Sequence, residues 1–367
     1  MKSKTLCLNM IVKNESKTIQ RCLASVKGII DYWVIADTGS TDGTQQIIRD
    51  FLKDVPGRLI ESEWVDFATN RNRALKEARN KADYILMLDA DDTLEVSGEF
   101  KKSAMDQEAY LLLCSDPIVD SYRLLMINND SGWKWVGVLH EELRNSRCNR
   151  IQILHGIKKN GLMRDGQRVQ DPQRYLKDAK ILEDELQKDP QNPRLVFYIA
   201  QSYAVAYENR KAIQYYEQRA AMGGYKEEVF WSLYFSSCLK DNLNLEPMEV
   251  IMSYWKAYEY DRFRAEPLCF LARYLLKQGN PAMAYLAARV AVSLPRPKAL
   301  LYVQREVYDY TSLLYFAYSQ HLLNLFDDAA KTYRKLLAIQ SLPKAERAQV
   351  EQFLVRSEKK LPLQVVS

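Results

Sequence analysis

The stretch YILMLDADDTLE, residues 84–95, runs through apolar positions and then places three carboxylates, Asp89, Asp91 and Asp92, within four residues. A short apolar run of this kind reads as a buried strand. In an open parallel sheet, ligands sit beyond the carboxyl ends of the strands, so the residues after Leu88 stand where a substrate would bind. Crowded carboxylates repel one another and are tolerated when a divalent cation neutralises them; hard oxygen ligands suit Mg²⁺ or Mn²⁺. A nucleotide diphosphate would complete such a metal's shell. Taken alone, Asp-x-Asp also fits a solvated acidic turn.

Three further runs, TLCLNMIV (5–12), DYWVIAD (31–37) and GRLIESEW (57–64), also read as strands, and the segments between them carry helical spacing. This alternation predicts a parallel sheet covered by helices. From about Pro172 the pattern becomes helix after helix, broken at DPQNP, GG, GNP and LPRP. The 34-residue step from Phe197 to Trp231, with Ala212, Ala284 and Ala329 early in the second helices, fits a helix-turn-helix repeat of the tetratricopeptide (TPR) kind. The expected organisation is an α/β domain over 1–155, a linker or lid over 156–172 and an all-α helical solenoid over 173–367.

The 367 residues exceed the size at which one core usually stops growing, consistent with two domains. The formal charge of +5 arises from 52 basic and 47 acidic residues without a run of like charges, so nucleic acid is not an expected partner. No apolar run approaches the roughly 18 residues of a membrane span, and no signal peptide is evident. A cytoplasmic location is expected. The six cysteines lack any Cys-x-x-Cys pair and are expected to be reduced.

A second acidic cluster lies in VIADTGSTDGT, where Asp37 ends an apolar strand. Ser40, Thr41 and Asp42 suit a helix cap, which leaves Asp37 less well explained. On the segment DFATNRNRALKEAR, residues Phe67, Arg71, Ala74, Leu75 and Ala78 share one helical face, so Arg71 needs an anion. Its partner is either a carboxylate such as Glu15 or Asp37, or a bound nucleotide.

Together, MIVKNES, DYWVIADTGSTDGT, WVDFATNRNRAL, DYILMLDADDTL and WKWVGVLHEEL resemble the landmarks of family 2 glycosyltransferases of the GT-A (Rossmann-like) fold. The whole chain is similar to the subgroup in which this domain precedes tetratricopeptide repeats, near the sublancin-type peptide S-glycosyltransferases. The resemblance implies that the MIV strand end, with Met10 and Val12, and Asp37 contact the nucleobase, and that Arg71 supports the nucleotide site, near Glu15. Asp89, Ala90 and Asp91 would meet ribose and metal-diphosphate. Asn70 departs from the small residue usual before Arg-Asn.

The resemblance further implies inversion at the anomeric carbon, with Mn²⁺ or Mg²⁺ offsetting charge on the departing nucleoside diphosphate. Attack by an acceptor calls for a general base. Glu141 matches the family's His-Glu pattern and is preferred to Glu142, a surface cap being the competing role. His155 and His140 are the candidate histidine ligands beside Asp91. Trp133 and Trp135 are expected either to recognise the acceptor or to sit in the core. Lys158, Lys159 or Arg164 on the lid would approach the diphosphate, unless that segment is only a linker. The expected partners are a nucleotide-sugar donor, with uridine diphosphate as carrier, and a peptide, protein or saccharide acceptor. The solenoid would serve as acceptor platform or homodimer surface. The competing expectation is a non-catalytic nucleotide-binding TPR scaffold.

Overall fold

Leu6–Val12 forms β1, the centre of a sheet: six of its seven side chains are buried, as expected of a strand covered on both faces. It pairs in parallel with β2 (Tyr32–Asp37) and β4 (Tyr84–Met87), and β2 pairs in parallel with β3 (Gly57–Glu61). The computed structural model describes residues 3–116, 119–130, 132–161, 171 and 173–361. Helices α1 (Ile19–Val26), α2 (Thr44–Phe51) and α3 (Phe67–Ala78) connect these strands. Helix α1 buries Ile19, Cys22, Leu23 and Val26, a single stripe at helical spacing.

The sheet is uninterruptedly parallel only in this half, although β6 and β10 also pair in parallel. Beyond β4 the order continues β7-β6-β10-β5, from β5 (Thr93–Val96), β6 (Ala109–Ser115), β7 (Val119–Asn128) and β10 (Ile151–Asn160). β7 is antiparallel to both β4 and β6, and β5 is antiparallel to β10. The expected parallel sheet is thus a mixed one: only three residues separate β6 from β7, too few for the crossover that a parallel pair needs. A separate two-stranded hairpin, β8 (Lys134–Val136) with β9 (Glu142–Arg144), lies outside this sheet.

The chain divides into two compact units, Met1–Ser202 and Tyr203–Ser367. The first holds the sheet, α4 (Arg174–Lys188) and most of α5 (Pro193–Val205). The second is wholly helical in its main elements: α6 (Asn209–Ala221), α7 (Lys226–Asn242), α8 (Pro247–Tyr260), α9 (Glu266–Lys277), α10 (Pro281–Ser293), α11 (Ser312–Leu322), α12 (Phe326–Leu337) and α13 (Lys344–Glu358). The recurring small residues Ala212, Ala284 and Ala329 are fully buried, which lets paired helices approach closely. Two buried ion pairs, Arg219–Glu228 and Arg264–Glu266, lie within this unit, and Arg264 also lies over the Phe230 ring. His321 is a packing residue bonded to Ser357 and the Leu361 carbonyl.

β10 extends to Asn160, past the domain end expected at 155, so Gly156, Lys158 and Lys159 lie in the sheet rather than on a lid. Residues 162–170 and 172, with Arg164, lie outside the described residues. Gly156 is where β10 crosses β5: its φ is +79°, its carbonyl accepts the Ser97 N–H, and an added Cβ would fall 2.3 Å from the Phe100 nitrogen. The register with β6 shifts between Ile153 and Lys158, around this point. Gly156→Ala therefore combines a left-handed backbone with a clash against main chain. The expected cost is ~2–4 kcal/mol in urea unfolding, and an unchanged midpoint would show that the β10–β5 crossing is not constrained as described.

Candidate active site

Two loops at the carboxyl ends of β1 and β2 are stitched together before any ligand is considered. Asn14 donates its backbone N–H to Ser40 Oγ at 2.8 Å and accepts the Thr41 N–H at 2.8 Å. The Ser16 N–H reaches Asp42 at 3.0 Å, and Asp42 also accepts the Thr44 hydroxyl at 2.6 Å. These bonds overcome a modest burial penalty and hold Asp42 down at about 2.

Asp37, 1% exposed, lines a cleft of about 530 Å³ with Lys13, Gln45, Glu63 and Trp64. One carboxylate oxygen accepts the N–H groups of Gly39 and Ser40 and the Gln45 amide at 2.8–3.1 Å. The other is buried with no partner, as is Ser62 Oγ in the same cleft wall. Buried acceptors without a partner are costly in isolation, so this wall suits a ligand that donates hydrogen bonds. Trp64 is 41% exposed and meets Phe67 edge to face at 4.7 Å. Trp64 stands outside the residues expected at the site; its signal in sequence is an aromatic just past an apolar strand.

Two strand spacings away, about 10 Å across β1, lies the acidic end of β4. Arg71, on α3, donates to Asp89 at 2.6 Å and to Glu141 at 2.5 Å, with its guanidinium 4.9 Å from the centre of the Trp135 ring. Its anions are therefore two site carboxylates, not Glu15 or Asp37. Asn72, one residue further along α3, clamps the hairpin by donating to the Trp135 carbonyl at 2.9 Å and accepting its N–H at 2.8 Å. One helical turn thus fixes both the hairpin that carries Glu141 and the guanidinium that meets it. Asp92 pairs with Lys159 of β10 at 2.6 Å, with both side chains almost buried.

The three aspartates sit in different electrostatic environments in consequence. Burial would raise Asp89, but Arg71 and Lys159 outweigh it and hold Asp89 at about 2. Burial first, and then repulsion from Asp92, Asp89 and Glu15, pushes Asp91 up to about 6. Asp92 is also raised, by burial and by Asp89, despite Lys159. Arg71 is stabilised in its charged form: burial opposes this, and Asp89 and Glu141 reverse it.

Several expected site residues do not reach this region through their side chains. Met10, Val12 and Ala90 are buried in the main core, because β1 is covered on both faces; the Val12 carbonyl is bonded to Thr38. Trp133 is 2% exposed and its indole donates to Asn128, so it is a core residue and not an acceptor platform. Trp135 is likewise buried and serves as the surface beneath Arg71. His155 sits on β10 within the stretch where the register with β6 shifts, between Ile153 and Lys158. His140 is exposed and stacks on Tyr198. Among the described residues no three His, Cys, Asp or Glu side chains form a metal cage. Glu15 accepts the Thr18 hydroxyl at 2.7 Å and acts on Asp91 through its charge.

A sheet in the order 3-2-1-4 with acidic residues beyond β2 and β4, followed by paired helices, defines a GT-A (Rossmann-like) domain joined to a TPR-like helical solenoid. Residues 7–102 match the family model of Glycosyl transferase family 2, and the amino-terminal region is a domain of that family. The SPbeta prophage-derived glycosyltransferase SunS of Bacillus subtilis is 26% identical over 243 residues, covering 61% of this chain and 54% of that protein. A TPR repeat-containing protein of Synechococcus elongatus is 41% identical over 91 residues, 24% of this chain and 21% of that one. The chain thus spans about half the length of SunS. Among solved structures, S. aureus TarS 1–349 in complex with UDP-GlcNAc aligns over 75% of this chain and 92% of that one, with 16% identity and a TM-score of 0.35. No helix among the described residues is long and apolar enough to cross a membrane.

The raised Asp91 has a thermodynamic consequence. Its folded value of about 6 lies above the ordinary 3.8, so the folded protein holds this proton more tightly than the unfolded chain. Stability is therefore lost as pH rises from 3.8 to about 6 and stays lower above it. Asp91→Asn removes the penalty. With divalent ions chelated, the variant should be more stable than the parent by about 1–2 kcal/mol at pH 7.5, after allowance for solvent screening, with the gap shrinking towards pH 4. Equal melting temperatures at pH 7.5 would show that Asp91 carries its charge without strain.

Proposed function

We propose that the chain is a metal-dependent, inverting glycosyltransferase that moves a sugar from a nucleotide-sugar, with UDP as the carrier, to a peptide, protein or saccharide acceptor. The observation that carries this reading is the array Asp89–Arg71–Glu141 beside a strained Asp91. It is supported by the family 2 match over 7–102 and by the glycosyltransferase relatives.

In this reading the cleft at Asp37 holds the nucleobase, whose N–H groups would satisfy the partnerless oxygen. Asp89 would accept a ribose hydroxyl while remaining ionised against Arg71. Asp91 fits a divalent cation: its charge is opposed by its neighbours, its oxygen is a hard donor, and Mg²⁺-type sites commonly use one or two carboxylates plus substrate phosphates. Bound there, Mn²⁺ or Mg²⁺ would supply Lewis-acid stabilisation of the departing diphosphate.

Glu141 is the base that would take the acceptor's proton. Its side chain is 9% exposed and is held by Arg71, so the carboxylate is aimed rather than mobile. The Trp135 ring beneath Arg71 excludes water from one side of the pair.

The test is release of nucleoside diphosphate from a panel of UDP-, GDP- and dTDP-sugars with Mn²⁺ and candidate acceptors. Glu141→Gln should retain donor affinity and lose turnover by about 10²–10⁴-fold. Asp91→Ala should abolish Mn²⁺-dependent donor binding. Full activity in the first variant would remove Glu141 as the base, and undiminished binding in the second would remove Asp91 from the metal site. Donor binding by the parent protein with no turnover on any acceptor would favour a nucleotide-binding scaffold.

A further inference from the structure

The hairpin that carries Glu141 is weakly supported by its own architecture. It is a two-stranded ribbon of three-residue strands outside the main sheet, and such ribbons are marginal alone. The Asn72 clamp holds it at Trp135, before the turn. The turn itself, Gly137 to Glu141, includes His140 with φ +51°, a left-handed conformation that a residue with a side chain adopts only when its surroundings enforce it.

The surroundings that enforce it come from α5. Arg194 donates to the His140 carbonyl at 3.0 Å. The His140 ring lies flat on Tyr198, one helical turn along, with centroids 4.0 Å apart and planes 5° from parallel. Arg194 also lies 4.8 Å from the centre of the Tyr198 ring and 3.8 Å from Glu142. The residues on both sides of Glu141 are thus gripped by one helix, while Glu141 points the other way into Arg71. Helix α5 is a firm base for this grip: Asn192 caps its first N–H groups, and Leu195, Val196, Phe197, Ile199 and Ala200 are buried.

We infer that Arg194 and Tyr198 are positioning residues for Glu141, so that the first helix of the repeat pattern completes the active site of the domain before it. The inference rests on the reading of Glu141 as base, and it adds a requirement that the base be presented by α5. Neither residue touches a reacting atom. Their effect is on the fraction of molecules whose turn is formed.

Two readouts separate the mechanical part from the catalytic part. The first is amide hydrogen exchange over residues 137–144 in the full chain, without metal or donor, for the parent, Tyr198→Ala, Arg194→Ala, His140→Ala and Tyr198→Phe. Exchange over the turn should quicken in the three alanine variants, remain slow in Tyr198→Phe, which keeps the stacked ring, and be unchanged over 196–202. The second is kcat and donor KM with Mn²⁺ and the UDP-sugar that the parent turns over. The alanine variants should lose about ten- to a hundredfold in kcat with donor KM unchanged, the scale expected from misplacing a catalytic group by about 1 Å. The Tyr198→Phe variant should recover the parent's rate. His140→Ala with Tyr198→Ala should cost no more than either alone, since both remove one contact. Because His140 is on the surface, its alanine variant reads the contact even if Tyr198→Ala unfolds. Faster exchange with unaltered kcat would overturn the positioning role, and unaltered exchange would overturn the grip itself. A parent without turnover on any donor would instead sink the functional assignment, while the exchange data would still decide whether α5 holds the turn.

Discussion

The site depends on one buried guanidinium shared between two carboxylates. Taking Arg71 out of water is expensive, and the attraction of a single carboxylate rarely repays it. Here Asp89 and Glu141 both pair with it, and the Trp135 ring supplies a face that a planar cation can stack on. The three groups come from α3, the end of β4 and the turn of a hairpin, so their pairing locks three separate pieces of chain into one geometry. Loss of the Arg71 charge would leave Glu141 buried without compensation, a larger cost than that of an exposed ion pair.

The same arithmetic explains why the neighbouring carboxylates behave differently. Asp89 and Glu141 share Arg71, and Asp92 is matched by Lys159, so most of the acidic end of β4 is internally balanced. Asp91, desolvated by burial and then repelled by Asp92 and Asp89, is pushed up to about 6. A protein optimised only for stability would place a neutral residue there. Strain of this kind is what a bound cation or another positive group would relieve.

The parallel half of the sheet, its connecting helices and the helical pairs were legible because each depends on local periodicity: β1 as a run apolar but for Asn9, α1 as an i, i+3, i+4 stripe, the repeats as helical pairs with a buried alanine early in the second helix. The need of Arg71 for an anion was equally legible. Which anion was not, because Glu141 lies 70 residues away and is brought in by a hairpin whose strands have three residues each. Tryptophans 133 and 135 carry no signal in sequence that separates a core role from a binding role; that distinction is one of burial. His155 follows an apolar run and so reads as a strand end in sequence, whereas β10 continues five residues further.

The position of α5 follows from the same contrast between local pattern and long-range contact. By sequence pattern it opens the helical repeats, since Phe197 stands 34 residues before Trp231. By its contacts it belongs with the sheet, as the compact unit extends to Ser202 and includes Arg194 and Tyr198. A helix can answer both descriptions because its faces are independent: one stripe is buried, and the residues between present side chains to whatever lies opposite. The hairpin that carries Glu141 lies opposite. A boundary drawn where composition changes would cut through the support of Glu141, and the covalent continuity of the sheet domain with its first repeat helix is itself part of how the site is assembled.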